Sequence, residues 1–175
     1  MTEEHISNSK KGIFLGVNAP RIETRDIYNN HINLANLLQK YNGILIEFFR
    51  GAWWKPCKKH LHNLKNNITE FEKSNIKIIT IATDSVNHLK ALCEENGFKF
   101  SMISDRGAKI AKAYNVYTFG SMLDLSFMKT KLAIPSSFLI DSNGIIVWRY
   151  IGARTDRPSI KILTDAINQH IKNPG

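Results

Sequence analysis

Cysteine is scarce in this 175-residue chain, which has two, Cys57 and Cys93. Two cannot build the disulfide framework of a small secreted domain, and they form no closely spaced pair of the metal-binding type. In a reducing compartment two isolated cysteines are either inert packing or redox chemistry. Long apolar runs are also lacking. No stretch approaches the roughly 20 residues needed to cross a bilayer, so no membrane-spanning helix is expected. The opening "MTEEHISNSKK" is polar and leads into no apolar segment, so it does not read as a secretory signal. The expected location is the cytoplasm. No internal repeat and no second domain is visible. Residues 1–11 read as a flexible tail and residues 12–175 as a single domain.

Acidic residues are the third shortage. Fifteen Asp and Glu stand against 24 Lys and Arg, for a formal charge of +9. Such a balance raises the question of nucleic acid. The basic residues are scattered, however, with the densest group at "KPCKK", and no standard nucleic-acid-binding motif accompanies them. They read as a solvated basic surface, and no nucleic-acid partner is expected.

What is present is an ordinary hydrophobic share, 43% of residues, enough for a substantial core. "GVNAPRIETRDIYNNHINLANLL" reads as short extended pieces around an Asn-rich turn, then a short helix. "GILIEFF" (43–49), apolar apart from Glu47, reads as a central buried strand. Residues 55–75 carry Leu61, Leu64, Ile68 and Phe71 at helical spacing. "IKIITIAT" (76–83) is a second buried strand. Residues 84–97 run from an Asp-Ser cap to Gly97 as a helix, and 104–116 form another. Residues 117–133 read as an irregular excursion. "SSFLID", "SNG" and "IIVWRYIG" give strand, turn and strand, and 157–171 close the chain as a helix. The order β-α-β-α-α-β-β-α predicts a mixed α/β sheet flanked by helices on both faces.

The segment "FFRGAWWKPCKKH" (48–60) carries the chemistry. Cys57 falls in the first turn of a helix, where unpaired N–H groups and the positive end of the dipole favour a thiolate. Lys55, Lys58 and Lys59 add positive charge in sequence, and Arg50 is close enough to reach the same mouth. The alternative is a buried helix cysteine in a site without chemistry. His60 and His62 do not make a metal site, because residues two apart do not share a helix face. His60 is expected at a solvated surface. Glu47 within an apolar strand is either incidental or a buried carboxylate acting on the thiol.

Five stretches in this order resemble the thioredoxin fold, and within it the peroxiredoxin-like branch of the alkyl hydroperoxide reductase/thiol-specific antioxidant superfamily. They are "GVNAP", "FFRGAWWKPC", "ISDRGAKIAKAYNV", "IPSSFLIDSNGII" and "RPSIKIL", and the resemblance spans roughly residues 12–171. It implies a thioredoxin-like fold and a thiol peroxidase with no metal and no cofactor. Trp54 stands where thioredoxins carry their attacking cysteine. In peroxiredoxins the trailing cysteine of the motif is the one that meets peroxide, and Cys57 occupies that place. The same substitution thus removes thioredoxin chemistry and leaves peroxidase chemistry open. The departures are specific. Arg50 stands at the motif's proline, Trp54 at its threonine, and the arginine usual before the later strand is missing near Pro135. Arg50 is the candidate replacement guanidinium.

The resemblance further implies a resolving role for Cys93, nine residues beyond Asp84 as in two-cysteine thiol peroxidases, with buried packing as the alternative. Pro135 is expected in the cis form across the site from the thiol, with the backbone of Ile134 offered to a bound thiol or peptide. Trp53, Trp54, Lys55 and Pro56 complete the expected substrate mouth. The implied partners are a hydroperoxide, a thioredoxin- or glutathione-type reductant and, by analogy with many relatives, a second copy of the chain. A binding module without turnover and a monothiol disulfide-exchange protein are the competing readings.

Overall fold

The computed structural model describes residues 10–119, 131–153 and 155–172. A small hairpin comes first, β1 (Glu23–Arg25) against β2 (His31–Asn33), followed by α1 (Leu34–Lys40). Asn33 caps α1 by accepting from the Asn36 N–H. The core sheet is built from β3 (Gly43–Phe48), β4 (Ile76–Ala82), β5 (Ser101–Ser104), β8 (Ser136–Asp141) and β9 (Ile146–Ile151). Its order is β5-β4-β3-β8-β9. β3, β4 and β5 run parallel, while β8 and β9 join antiparallel. This mixed sheet is the expected thioredoxin-like arrangement.

β3 is central and buried along its whole length. Its alternate residues feed two separate cores. Leu45 and Phe49 join Leu61 and Leu64 of α2 (Lys55–Asn66), Leu89 of α4 (Val86–Asn96) and Leu163 of α6 (Ile160–His170). Ile44, Ile46 and Phe48 join Leu34 of α1 and Ala111 of α5 (Lys109–Ala113) on the other face. Helices therefore cover both faces, and the sheet's apolar runs are explained by double burial.

Four differences from the sequence-based expectation have local causes. The helix foreseen over 55–75 breaks at Asn67, whose φ of −120° and ψ of 21° end α2 before α3 (Ile68–Lys73) begins. β5 was not foreseen. Its four residues are too short to show a period, yet Met102 and Ile103 are buried beside β4. The helix expected from residue 104 starts later, because the Asp105 carboxylate accepts from the N–H groups of Ile110 and Ala111 and fixes its first turn there. Within the expected excursion, β6 (Tyr117–Phe119) pairs antiparallel with β7 (Lys131–Ala133). Residues 120–130 of that segment, and residues 1–9 of the expected tail, lie outside the described residues. Elsewhere the expected signals hold. Gly97 caps α4 at a φ of +67°, and the Asp141 carboxylate turns β8 into β9 by accepting from Asn143 and Ile145.

Candidate active site

β3 ends at Phe48, and the chain turns through Gly51 to Trp54 before α2 begins. Trp54 occupies the cap position without a side-chain capping hydrogen bond; Pro56 suits the first turn because it has no N–H to leave unpaired. Cys57 follows in that turn, and its residue is 1% exposed. Its Sγ receives two donors at 3.3 Å, the backbone N–H of Arg50 and Nη2 of Arg157. A sulfur facing a helix N-terminus, a backbone N–H and a guanidinium sits where negative charge is favoured.

Arg157 was missed by the sequence reading, which took "RPSIKIL" as one of the family-like stretches and as the start of the closing helix, and gave its arginine no part in the site. The arginine was there to be seen, 100 residues from Cys57 in sequence. Arg50 does reach the site, but by its backbone. Its guanidinium lies over the rings of Trp53 and Trp54, with its carbon 5.6 and 5.2 Å from their centroids. The two indoles meet edge to face at 5.7 Å. Trp54 is half-buried and packs against the core that contains Cys57, whereas Trp53 is exposed and walls a cleft of about 300 Å³ shared with Lys58, Asp84 and His88. Lys55 is exposed. The Asp84 carboxylate accepts from the Ala52 N–H at 3.0 Å and ties the turn to the end of β4.

Pro135 is buried and its peptide bond is trans, contrary to the expected cis form; no cis bond occurs among the described residues. The chain runs extended from β7 into β8, and trans is the default for such a run. Ile134 donates its N–H to Val116 at 2.6 Å, and its carbonyl accepts from the Ser136 hydroxyl at 2.8 Å. Pro135's carbonyl accepts from Gly152 N–H at 2.7 Å.

His60 corrects a second expectation. It is buried rather than solvated, because one helical turn after Cys57 it faces the sheet. Its Nε2 lies 2.9 Å from Oε2 of Glu47, and the Ser137 hydroxyl donates to the same oxygen at 2.8 Å. Glu47 in an apolar strand is thus a buried carboxylate paired with the helix that carries the thiol. Among the described residues, no group of three or more His, Cys, Asp or Glu is placed to hold a metal ion.

Cys93 lies in different surroundings. Its thiol is buried at the α4–β5 contact, with Sγ 3.7 Å from Met102 Sδ, and desolvation, with a smaller contribution from Glu94, pushes it up to about 11. Both cysteines are free.

The sheet order, the helix-borne thiol and its two donors define a thioredoxin-fold thiol protein. Residues 15–149 match the AhpC/TSA family, and the chain belongs to that family of thiol oxidoreductases. It is 28% identical over 147 residues to the thiol-disulfide oxidoreductase ResA of Bacillus anthracis, covering 83% of this chain and 75% of that protein. It is 26% identical over 130 residues to the putative peroxiredoxin bcp of Buchnera aphidicola, covering 73% of this chain and 78% of that protein. Two solved structures share its fold. The mitochondrial 2-Cys peroxiredoxin of Plasmodium falciparum gives a TM-score of 0.74 at 19% identity, over 89% of this chain and 93% of that one. Peroxidoxin BcpB of Mycobacterium tuberculosis gives 0.71 at 17% identity, over 88% and 94%. No helix among the described residues is long and apolar enough to cross a membrane.

Proposed function

We propose that the chain is a thiol peroxidase working through Cys57 in a reducing compartment such as the cytoplasm. The observation that carries this is the pair of donors on the Cys57 sulfur, one of them the Arg157 guanidinium. The Cys57 thiolate attacks one oxygen of a hydroperoxide. An S–O bond forms as the O–O bond breaks, sulfur is oxidised to the sulfenic acid, and the other oxygen leaves as hydroxide or alkoxide, which takes a proton from solvent to become water or alcohol. A second thiol then condenses with the sulfenic acid, releasing water and leaving a disulfide. A dithiol of the thioredoxin type, or glutathione, returns Cys57 to its reduced form. Arg157 stabilises the anionic sulfur and the charge that develops on the departing oxygen. Trp54 has only an indole N–H and no hydroxyl, so it cannot accept a hydrogen bond from the peroxide as a threonine could.

The second thiol is Cys93 or an external one. A bridge between Cys57 and Cys93 needs Cα atoms within about 7 Å or local unwinding. α4 is held by its Ser85 cap and by Asn96, which contacts His62 and accepts from Lys65 of α2. Both features favour the external thiol. Disulfide exchange without peroxide is the second reading, supported by the likeness to ResA, though Trp54 leaves no leading cysteine to attack.

The test is hydrogen peroxide consumption with dithiothreitol as reductant, comparing the native chain with Cys57→Ser. Loss of turnover is expected; unchanged turnover sinks the mechanism. Mass analysis after one equivalent of peroxide, with a sulfenic-acid trap, separates the branches. An adduct on Cys57 alone means an external thiol, and loss of two hydrogens across Cys57 and Cys93 means an internal one.

A further inference from the structure

An arginine with all its rotamers open spends little time against one sulfur, because ordering so long a side chain costs conformational entropy. Arg157 is held. Its Nη1 donates to the carbonyls of Ala153 at 2.9 Å and Asp156 at 2.7 Å, which leaves Nη2 directed at Cys57. Neither Ala153 nor Asp156 lies in a strand or a helix. β9 has ended at Ile151, and Pro158 keeps α6 from extending backwards.

Two contacts pin that segment. The Tyr150 hydroxyl, from the last turn of pairing in β9, donates to both carboxylate oxygens of Asp156 at 2.8 and 2.9 Å. Burial, with Asp156 beside it, raises the Tyr150 phenol, so it stays protonated and remains a donor. The Gly152 N–H donates to the Pro135 carbonyl at 2.7 Å. Gly152 permits this approach only because it lacks a side chain. A Cβ there would lie 2.6 Å from the Asp156 carbonyl oxygen and 2.8 Å from that of Pro135.

We propose that Tyr150, Gly152 and Asp156 form a clip that holds the Arg157 guanidinium against the Cys57 sulfur. They are positioning residues, and the assignment rests on the reading of Arg157 as the group that supports Cys57. The clip also ties that segment to the entry of β8, since the Pro135 carbonyl holds Gly152 just ahead of Arg157.

The experiment measures the rate of Cys57 oxidation by hydrogen peroxide across pH, using a sulfenic-acid trap and mass analysis. It compares the native chain with Tyr150→Phe, Gly152→Ala, Arg157→Leu and the Tyr150→Phe/Arg157→Leu double variant. Tyr150→Phe removes one hydroxyl and keeps the ring. It is expected to slow oxidation about three- to tenfold and to move the pH–rate profile upward, as Arg157→Leu does. Gly152→Ala is expected to act in the same direction, and it carries the test if Tyr150→Phe is too unstable to assay. The double variant is expected to be no slower than Arg157→Leu alone, because a clip with nothing to hold has no effect. A slow Arg157→Leu with Tyr150→Phe and Gly152→Ala at the native rate overturns the clip and spares the reading of Arg157. Multiplying effects in the double variant also overturn it. An Arg157→Leu chain at the native rate overturns the role of Arg157, and the clip falls with it.

Discussion

Cys57 and Cys93 are equally buried and share one hydrophobic core, yet their sulfurs meet opposite company. Cys57 has a backbone N–H and a guanidinium at 3.3 Å; Cys93 has a thioether at 3.7 Å. Burial alone therefore says little about a cysteine. What decides its chemistry is whether the groups that replace water are donors or hydrocarbon.

The contrast breaks first at peroxide. With Cys93 pushed up to about 11, its thiolate fraction near pH 7 is on the order of 10⁻⁴. Sulfenic-acid trapping is expected to mark Cys57 well ahead of Cys93, because the Cys57 sulfur has an N–H and a guanidinium as donors. Comparable rates would erase the distinction. Cys93 should gain reactivity only as the pH nears 11 or the chain unfolds.

The walls behind the two sulfurs should differ in cost. His60→Ala takes the imidazole from the buried Glu47 carboxyl, leaving it the Ser137 hydroxyl, and opens a cavity, a loss of about 2–4 kcal/mol in denaturant unfolding. Met102→Leu behind Cys93 exchanges apolar groups of similar size and should cost less than about 1.5 kcal/mol. Equal costs would mean that Glu47 and His60 are not the paired support of the thiol helix.

The donor itself comes next. Arg157→Leu removes a charge-assisted bond and should slow Cys57 oxidation about 10- to 100-fold, with no effect on labelling of Cys93 in the unfolded chain.

The smallest effect concerns the turn. The Asp84 carboxyl is raised chiefly by burial, against the pull of the Ala52 N–H. The native state therefore holds that proton more tightly than the unfolded chain does. The stability linked to it is present at acid pH, below the ordinary carboxylate range, and is lost as pH rises through the raised value. Asp84→Asn keeps an acceptor for Ala52 and should melt a few degrees higher near pH 7, with the gap closing below about pH 4. A gap that widens in acid would show that the carboxylate, rather than the neutral acid, is the favoured form.

Much of this was open to reading in the primary structure. The apolar runs 43–49 and 76–83 declared buried strands, because double burial leaves no room for alternation. The Asp-Ser and Gly97 signals bounded α4, and Pro56 with Cys57 marked a helix N-terminus. Local chemistry writes such features, since turns, caps and periodicity act over a few residues. β5 escaped because four residues carry no period, and the trans form of Pro135 escaped because its neighbours decide the isomer.

The chain by itself determined which cysteine stands at a helix N-terminus, and that a tryptophan, Trp54, is placed three residues ahead of it. Only the tertiary structure decided what touches the sulfur. Arg157 reaches Cys57 across 100 residues, Glu47 meets His60 and Ser137 on other elements, and Tyr150 and Pro135 hold the segment between. Those contacts exist because a five-stranded sheet brings the end of β9 to the same edge as the start of α2, which follows β3, and no short-range pattern encodes a meeting made by strand order.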